Sequence, residues 1–275
     1  MRMVKVMLVR AGTAFALCGL WATSIELHAQ TATAPSTEAS APASEAAPER
    51  QPQALDALLK MGRFLRKLDR FEVRAQTSTD AVLDSGQTVS FLHETDLKVQ
   101  RPNRMRVDIT GSRKDKGLVY DGKTFVIFNT ATGFYSESPA PGTLDGLVRE
   151  LAEVYNIEAP LADLFYWGQG KPDDTVITSA LFIGLERVDS RWCNHYAYQQ
   201  SDVSWEIWLL KGSHPLPCRM VITDTTQAAR PRHEVTYRWI LNGAFDPSAF
   251  VYEPSATAKR IELQRATTTP FEQGE

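Results

Sequence analysis

The sequence of 275 residues lacks most of the signatures that would mark an enzyme. It has three cysteines and five histidines, and none of the histidines falls in an H-E-x-x-H frame. There is no G-x-S-x-G, no phosphate-binding loop and no dinucleotide fingerprint. His93, His195, His214 and His233 show no metal-ligand spacing. A Cys/His hydrolase would have to use Cys193 and His195, which merely share one face of a strand, and no third group to orient them is evident. No catalytic residue, metal or cofactor is therefore expected. Basic excess is missing as well: 30 Lys and Arg against 33 Asp and Glu leave a net charge of −3. That is no footprint for nucleic acid and too weak a field to steer a partner. Trp192, Trp205, Trp208 and Trp239 could stack on sugars or bases, but packing on a sheet accounts for them.

The N-terminus carries a run of apolar residues. Arg2, Lys5 and Arg10 precede an apolar stretch over residues 11–22, and a small residue, Ala29, offers a cleavage point. This is the layout of a secretory signal peptide over residues 1–29, the alternative being an uncleaved anchor. The stretch is short for crossing a bilayer. Cys18 follows Leu17, where a lipoprotein signal takes a small residue, so lipidation is not expected. Export to the periplasm of a Gram-negative bacterium is expected, and there Cys193 and Cys218 could pair. If residues 192–199, 203–210 and 218–226 are successive antiparallel strands, the two cysteines flank Leu210 from opposite sides. Two strand spacings are about 9.5 Å, beyond the roughly 4.4–6.8 Å that a disulfide spans between Cα atoms. A shifted register or an irregular strand would bring them within reach, and the pairing stays open.

Residues 30–52 are almost entirely Ala, Pro, Ser, Thr, Glu and Gln. Such a segment cannot offset its ordering entropy and reads as a flexible linker. A domain is expected over residues 53–265, with a flexible tail at 266–275. It opens on Leu55, Leu58, Leu59, Gly62, Leu65 and Leu68 at helical steps, an amphipathic helix of about four turns. Strands follow, read from period-2 alternation. The organising stretch lies at residues 89–109: alternation runs to Val99, breaks at Arg101-Pro102-Asn103, and resumes at Met105, Val107 and Ile109. This is a hairpin with one apolar face and arginines at its tip. Asp121-Gly122 is a second hairpin signal. The first half reads as one helix and about six antiparallel strands in a meander. At Thr143, an N-cap candidate, the spacing becomes helical through Leu144, Leu147, Val148 and Leu151. A short helical turn is expected at residues 161–165 and a loop at 168–174. Five more strands are expected, at 181–188, 192–199, 203–210, 218–225 and 232–241.

Several of these segments resemble the LolA/LolB-like superfamily of periplasmic lipoprotein carriers. The likeness rests on Arg101, Pro102, Met105 and Arg106, on the Asp121-Gly122-Lys123 turn before Phe125-Val126-Ile127-Phe128, and on Pro160-Leu161-Ala162-Asp163-Leu164. Trp205-Glu206-Ile207-Trp208 and Leu216-Pro217 with Arg219-Met220-Val221-Ile222 are similar to a family of predicted periplasmic proteins, DUF2092-like. The resemblance implies an α+β fold that is mostly antiparallel β. Its form would be an unclosed half-barrel of about eleven strands, with two or three helices covering the concave face.

It also implies a non-enzymatic carrier that holds a lipid or acylated ligand between sheet and helices, with transient membrane contact. The alternative is a lipid- or lipoprotein-sensing regulator, which would act through a periplasmic or envelope protein partner. The candidate cavity wall is the apolar phase of the strands: Phe91, Leu97, Val99, Met105, Val107 and Ile109, then Trp205, Ile207, Leu209, Tyr237 and Trp239. The same positions would fill a plain core. Arg101, Arg104 and Arg106 could close the cavity or meet a head group through guanidinium donors.

Overall fold

The computed structural model describes residues 49–111, 115–167, 176–241 and 243–266. The expected signal peptide, nearly all of the linker and tail, and the loop at 168–174 lie outside the described residues.

The amphipathic helix forms as α1 (Pro52–Arg66), with a proline in its first turn and Arg63 and Arg66 in its last. Six strands then run as an antiparallel meander: β1 (Arg70–Val82), β2 (Thr88–Gln100), β3 (Arg104–Thr110), β4 (Lys116–Tyr120), β5 (Thr124–Asn129) and β6 (Phe134–Pro139). The β4–β5 turn is built by Asp121, whose carboxylate accepts from the backbone N–H of Lys123 and Thr124 at 2.8 Å each. Gly122 there has a φ of 98°, and a side chain would strike the amide of Asn103. Helices α2 (Leu144–Val154) and α3 (Asp163–Tyr166) interrupt the strands. Thr143 caps α2 by accepting from the Gly146 N–H at 3.2 Å.

Strands β7 (Ser179–Val188), β8 (Arg191–Gln199), β9 (Val203–Leu210), β10 (Pro217–Asp224) and β11 (Arg232–Leu241) follow. A single 3-10 turn at Pro247–Phe250 then leads to a two-residue strand, β12 (Lys259–Arg260). All twelve strands form one sheet in the order β12-β6-β5-β4-β3-β2-β1-β11-β10-β9-β8-β7. The first strand thus joins the two meanders: Phe71 to Thr79 pair with β11 from Leu241 back to His233, while the other side of β1 pairs with β2. The sheet is open, antiparallel except where β12 runs parallel to β6. This is the α+β half-barrel expected from the sequence, with β12 added beyond the eleven strands foreseen.

Alternation divides the sheet into two faces. Phe71, Val73, Ala75, Leu97, Val99, Met105, Val107, Ile207, Met220, Val235 and Tyr237 are buried on the concave face, in one core with residues of all three helices. The helices are fastened at few points. Tyr120 donates its hydroxyl hydrogen to Pro141 O, and the Leu144 N–H reaches Pro102 O at 3.2 Å, which seats α2 on the tip of the β2–β3 hairpin.

Cys193 and Cys218 form a disulfide with their Cα atoms 6.7 Å apart. The regular spacing of about 9.5 Å fails here because β10 is irregular. Pro217 pairs with Leu209 and Arg219 with Trp208, so Cys218 is the extra residue of a β-bulge. The bulge draws Cys218 toward Cys193, which pairs with Leu210. Both sulfurs lie on the convex face in a small cluster with Val188, Trp208 and Val221.

Candidate functional site

The apolar residues foreseen as a cavity wall fall on the concave face and stand next to one another. Val107 pairs with Leu97, Leu97 with Val73, and Val73 with Trp239. Ile109 pairs with Thr95, Thr95 with Ala75, and Ala75 with Tyr237. Leu97, Val99, Met105, Val107, Ile109, Trp205, Ile207, Leu209 and Tyr237 are all buried. Trp239 is half-buried and donates its indole N–H to Pro217 O at 2.8 Å. Phe91, near the far end of β2, is 38% exposed. Tyr198 stacks on Trp205 with ring centroids 4.1 Å apart, and Trp167 covers Trp205 from the helix side at 5.7 Å. Tyr198 also donates to Ala54 O at 2.8 Å, tying the start of α1 to β8.

The three arginines do not converge. Period-2 alternation sends Arg104 and Arg106 to the side of β3 opposite Met105 and Val107. Arg106 there pairs with Asp108 at 2.7 Å and reaches Ala249 O at 3.4 Å. Arg101 turns inward and bonds Leu68 O at 3.1 Å, while its backbone N–H holds Asp69 O at 2.8 Å. Burial pulls the Arg101 guanidinium down, and the charge of Asp145 acts against that. Arg101 is therefore a clasp between the hairpin tip and the end of α1. A second clasp joins Arg66 of α1 to Asp145 of α2 at 3.1 Å.

Between Tyr198 at its start and these two clasps at its end, one flank of α1 is open. A groove of about 620 Å³ runs along the seam between α1 and strands β8 and β9. Its floor includes Asn194, Tyr196 and Leu209, and α1 supplies Ala57 and Phe64. Ala57 and Leu209 belong to the buried core as well, so the groove lies directly over the concave interior. Lys60, Arg63 and Lys67 line its helical wall, with Asp56 among them. Sequence reasoning missed this groove. The stripe of charges on α1 was visible, but its meeting with β8 and β9 depends on pairings between strands far apart in the chain.

The convex face has a different character. A smaller groove of about 430 Å³ is lined by Arg74, Asp96, Asp108, Asp189 and Arg238 among others. On the same face, His195 stacks on Trp208 with ring centroids 4.0 Å apart. Its Nδ1 lies 3.2 Å from Glu186 and its Nε2 2.9 Å from Glu206. Both nitrogens are thus engaged, and the Cys193 sulfur is taken up in the disulfide, so the Cys/His pair holds neither a thiolate nor a free base. Glu186 and Glu206 come from the strands on either side of β8, a juxtaposition that spacing along the sequence does not show. Among the described residues no group of three His, Cys, Asp or Glu is placed to hold a metal ion. Nor is any described helix long and apolar enough to cross a membrane.

Comparison with solved structures gives distant similarities. The chain is similar to the mycobacterial lipoprotein LppX of Mycobacterium tuberculosis, at 11% identity over 71% of this chain and 98% of that one, with a TM-score of 0.45. It is also similar to the MucA/MucB complex of Pseudomonas aeruginosa, at 16% identity over 73% of this chain and 61% of that one, TM-score 0.42. A LolA superfamily protein from Nitrosomonas europaea matches at 13% identity over 72% of this chain and 97% of that one, TM-score 0.34. No functionally curated protein matches the sequence. The profile of one sequence family covers residues 54–264, the span that holds the sheet, the helices and the groove, and the chain accordingly belongs to the family described as predicted periplasmic protein (DUF2092).

Proposed function

We propose that this protein is a periplasmic binding protein that carries a lipid or acylated ligand between its sheet and its helices, without chemistry. The observation that carries the reading is the groove at the α1 seam, where Ala57 and Leu209 of the buried core line a cleft open to water. An acyl chain laid there is withdrawn from water at about 0.8 kcal/mol per methylene, and it needs no hydrogen-bonding partner. The helix above is clasped through Tyr198 at its start and through Arg66 and Arg101 at its end. Outward movement of α1 would therefore extend the groove into the concave interior lined by Trp205, Ile207 and Leu209. Because the described residues pair both groups of the candidate Cys/His site elsewhere, a hydrolase reading finds no support in it.

One observation favours a second reading, a sensor that acts through a protein partner. Strand β7 is a sheet edge whose start is taken up by residues 49–51 at Ala180, and beyond that point Phe182, Ile183 and Leu185 are exposed, as is Trp192 beside them. An apolar edge of this kind can accept a strand from another chain.

Native mass spectrometry of the mature protein purified from a periplasmic extract tests the carrier reading. The expected result is a stoichiometric acyl species that is released on denaturation and lost in a folded Trp205→Glu variant. A protein that emerges free of ligand and does not bind a hydrophobic fluorophore would overturn carriage, and a co-purified polypeptide would favour the sensor.

A further inference from the structure

The groove beside α1 has a wall of one predominant charge, which the carrier reading alone does not require. Lys60, Arg63 and Lys67 stand on one stripe of the helix, exposed to water. Asp56 is the one carboxylate among the residues that line the groove, and it is shared by Lys60 at 2.6 Å and Arg63 at 4.0 Å. The charges of Lys60 and Asp56 both bear on the Tyr196 hydroxyl, so this stripe faces the groove floor rather than turning away from it. The wall therefore keeps a net positive charge over a floor in which Leu209 and the Tyr196 ring stand beside Asn194.

We propose that the α1 groove binds a single-chain anionic lipid of the free fatty acid class, its hydrocarbon along Leu209 and Phe64 and its carboxylate on the Lys60–Lys67 stripe. The inference rests on the carrier reading and specifies its ligand. Size and shape agree with one chain. The groove falls within the range of about 300–1,000 Å³ usual for small-molecule sites. The 15 residues of α1 give it a length on the order of 20 Å. The floor also selects against the other anionic occupant, an acidic peptide. Strand β8 is paired on both sides, by β7 and β9, and β9 by β8 and β10. Their backbone groups are already used within the sheet, so an extended peptide lying on this face would lose its own hydrogen bonds to water without replacement. A hydrocarbon chain has none to lose.

Isothermal titration calorimetry at neutral pH on the mature chain tests this, with laurate, monolaurin, dodecyltrimethylammonium and acetate as ligands. Laurate is expected to bind at least roughly tenfold tighter than monolaurin, and to weaken as salt is raised and screens the stripe. Acetate is expected not to bind. In the double variant Lys60→Glu/Lys67→Glu the laurate preference disappears, monolaurin affinity stays within about twofold, and dodecyltrimethylammonium gains. Both positions are exposed, and circular dichroism confirms the fold of the variant. If monolaurin binds as tightly as laurate, the head-group inference falls and acyl carriage stands. If no dodecyl ligand binds, both fall. Binding of acetate as tight as that of laurate, or displacement of laurate by an acidic peptide that binds more tightly, overturns the fatty acid assignment.

Discussion

On the concave face Leu97, Val99, Met105 and Val107 stand side by side, withdrawn from water. One residue along the same strands, Asp96, Lys98, Arg106 and Asp108 stand on the convex face in pairs such as Arg106–Asp108 at 2.7 Å and Lys98–Asp96 at 3.7 Å. The backbone is common to both sets, so the difference lies in what covers each face. Helices cover the concave side, and burial there scales with apolar area. The convex side is mostly wet, and its ion pairs are worth little. Two regions depart from this division, and in one of them Val119 and Phe128 are buried on the convex face with Tyr252 stacked on Phe128. Near the β7 edge the convex face buries Val188, Cys193, Trp208, Cys218 and Val221 with no helix over them, and a covalent bond holds β8 to β10 instead. A face without a covering layer can be secured by a staple in an oxidising compartment.

The sharpest way to break this comparison is to put the same charge on each face. Leu97→Asp buries a carboxylate with no partner and is expected to cost more than about 4 kcal/mol. Urea denaturation, or failure to accumulate in the periplasm, reads this out. Its neighbour Lys98→Asp, pointing the other way but set beside Asp96 and Glu72, is expected to cost only about 1–2 kcal/mol. Equal losses at the two positions would mean that the faces are not distinct.

The staple comes next in size. Cys193 and Cys218 enclose a loop with a sequence separation of 25 residues. Constraint of the unfolded chain by such a loop contributes about 3.5 kcal/mol. The double variant Cys193→Ala/Cys218→Ala should therefore unfold at lower urea by that amount, and reductant should shift the parent protein but not the variant. A parent indifferent to reductant would show that Trp208 and Val221 pack well enough alone.

These two tests also mark what the sequence made legible. Alternation through residues 89–109, the Asp121-Gly122 turn and the Thr143 cap are local signals, and each formed where it was expected. The bulge at Cys218 was not legible, because a bulge is a mismatch with a partner strand and not a property of its own residues. The same holds for Glu186 and Glu206 around His195, which meet only through the register of three strands. Strand β12 has two charged residues, Lys259 and Arg260, and so no alternation to read. For the site, the sequence identified which strand residues are apolar and share a phase. It did not reveal that Arg104 and Arg106 part company with Arg101, since the chain turns between them. Nor did it locate the groove, which needs the position of α1 over β8 and β9.

The concave face has its own exception in Asp163, at the start of α3, whose charge bears on the Tyr237 hydroxyl. Burial pushes the Asp163 carboxyl up to about 7, and the charge of Glu158 adds to this. In the unfolded chain the group would titrate near its ordinary value of 3.8. Between those two values the folded protein holds a proton that the unfolded chain has released. Stability therefore falls as pH rises through this window, and the cost is complete above about 7. Asp163→Asn resembles the protonated carboxyl and removes that slope. The variant is expected to match the parent near the bottom of the window and to exceed it above the top by up to about 4 kcal/mol. Urea midpoints measured across the window check this. If the parent keeps its slope in the Asn variant, the titrating group lies elsewhere, and the concave face would be as free of charge as its strands alone imply.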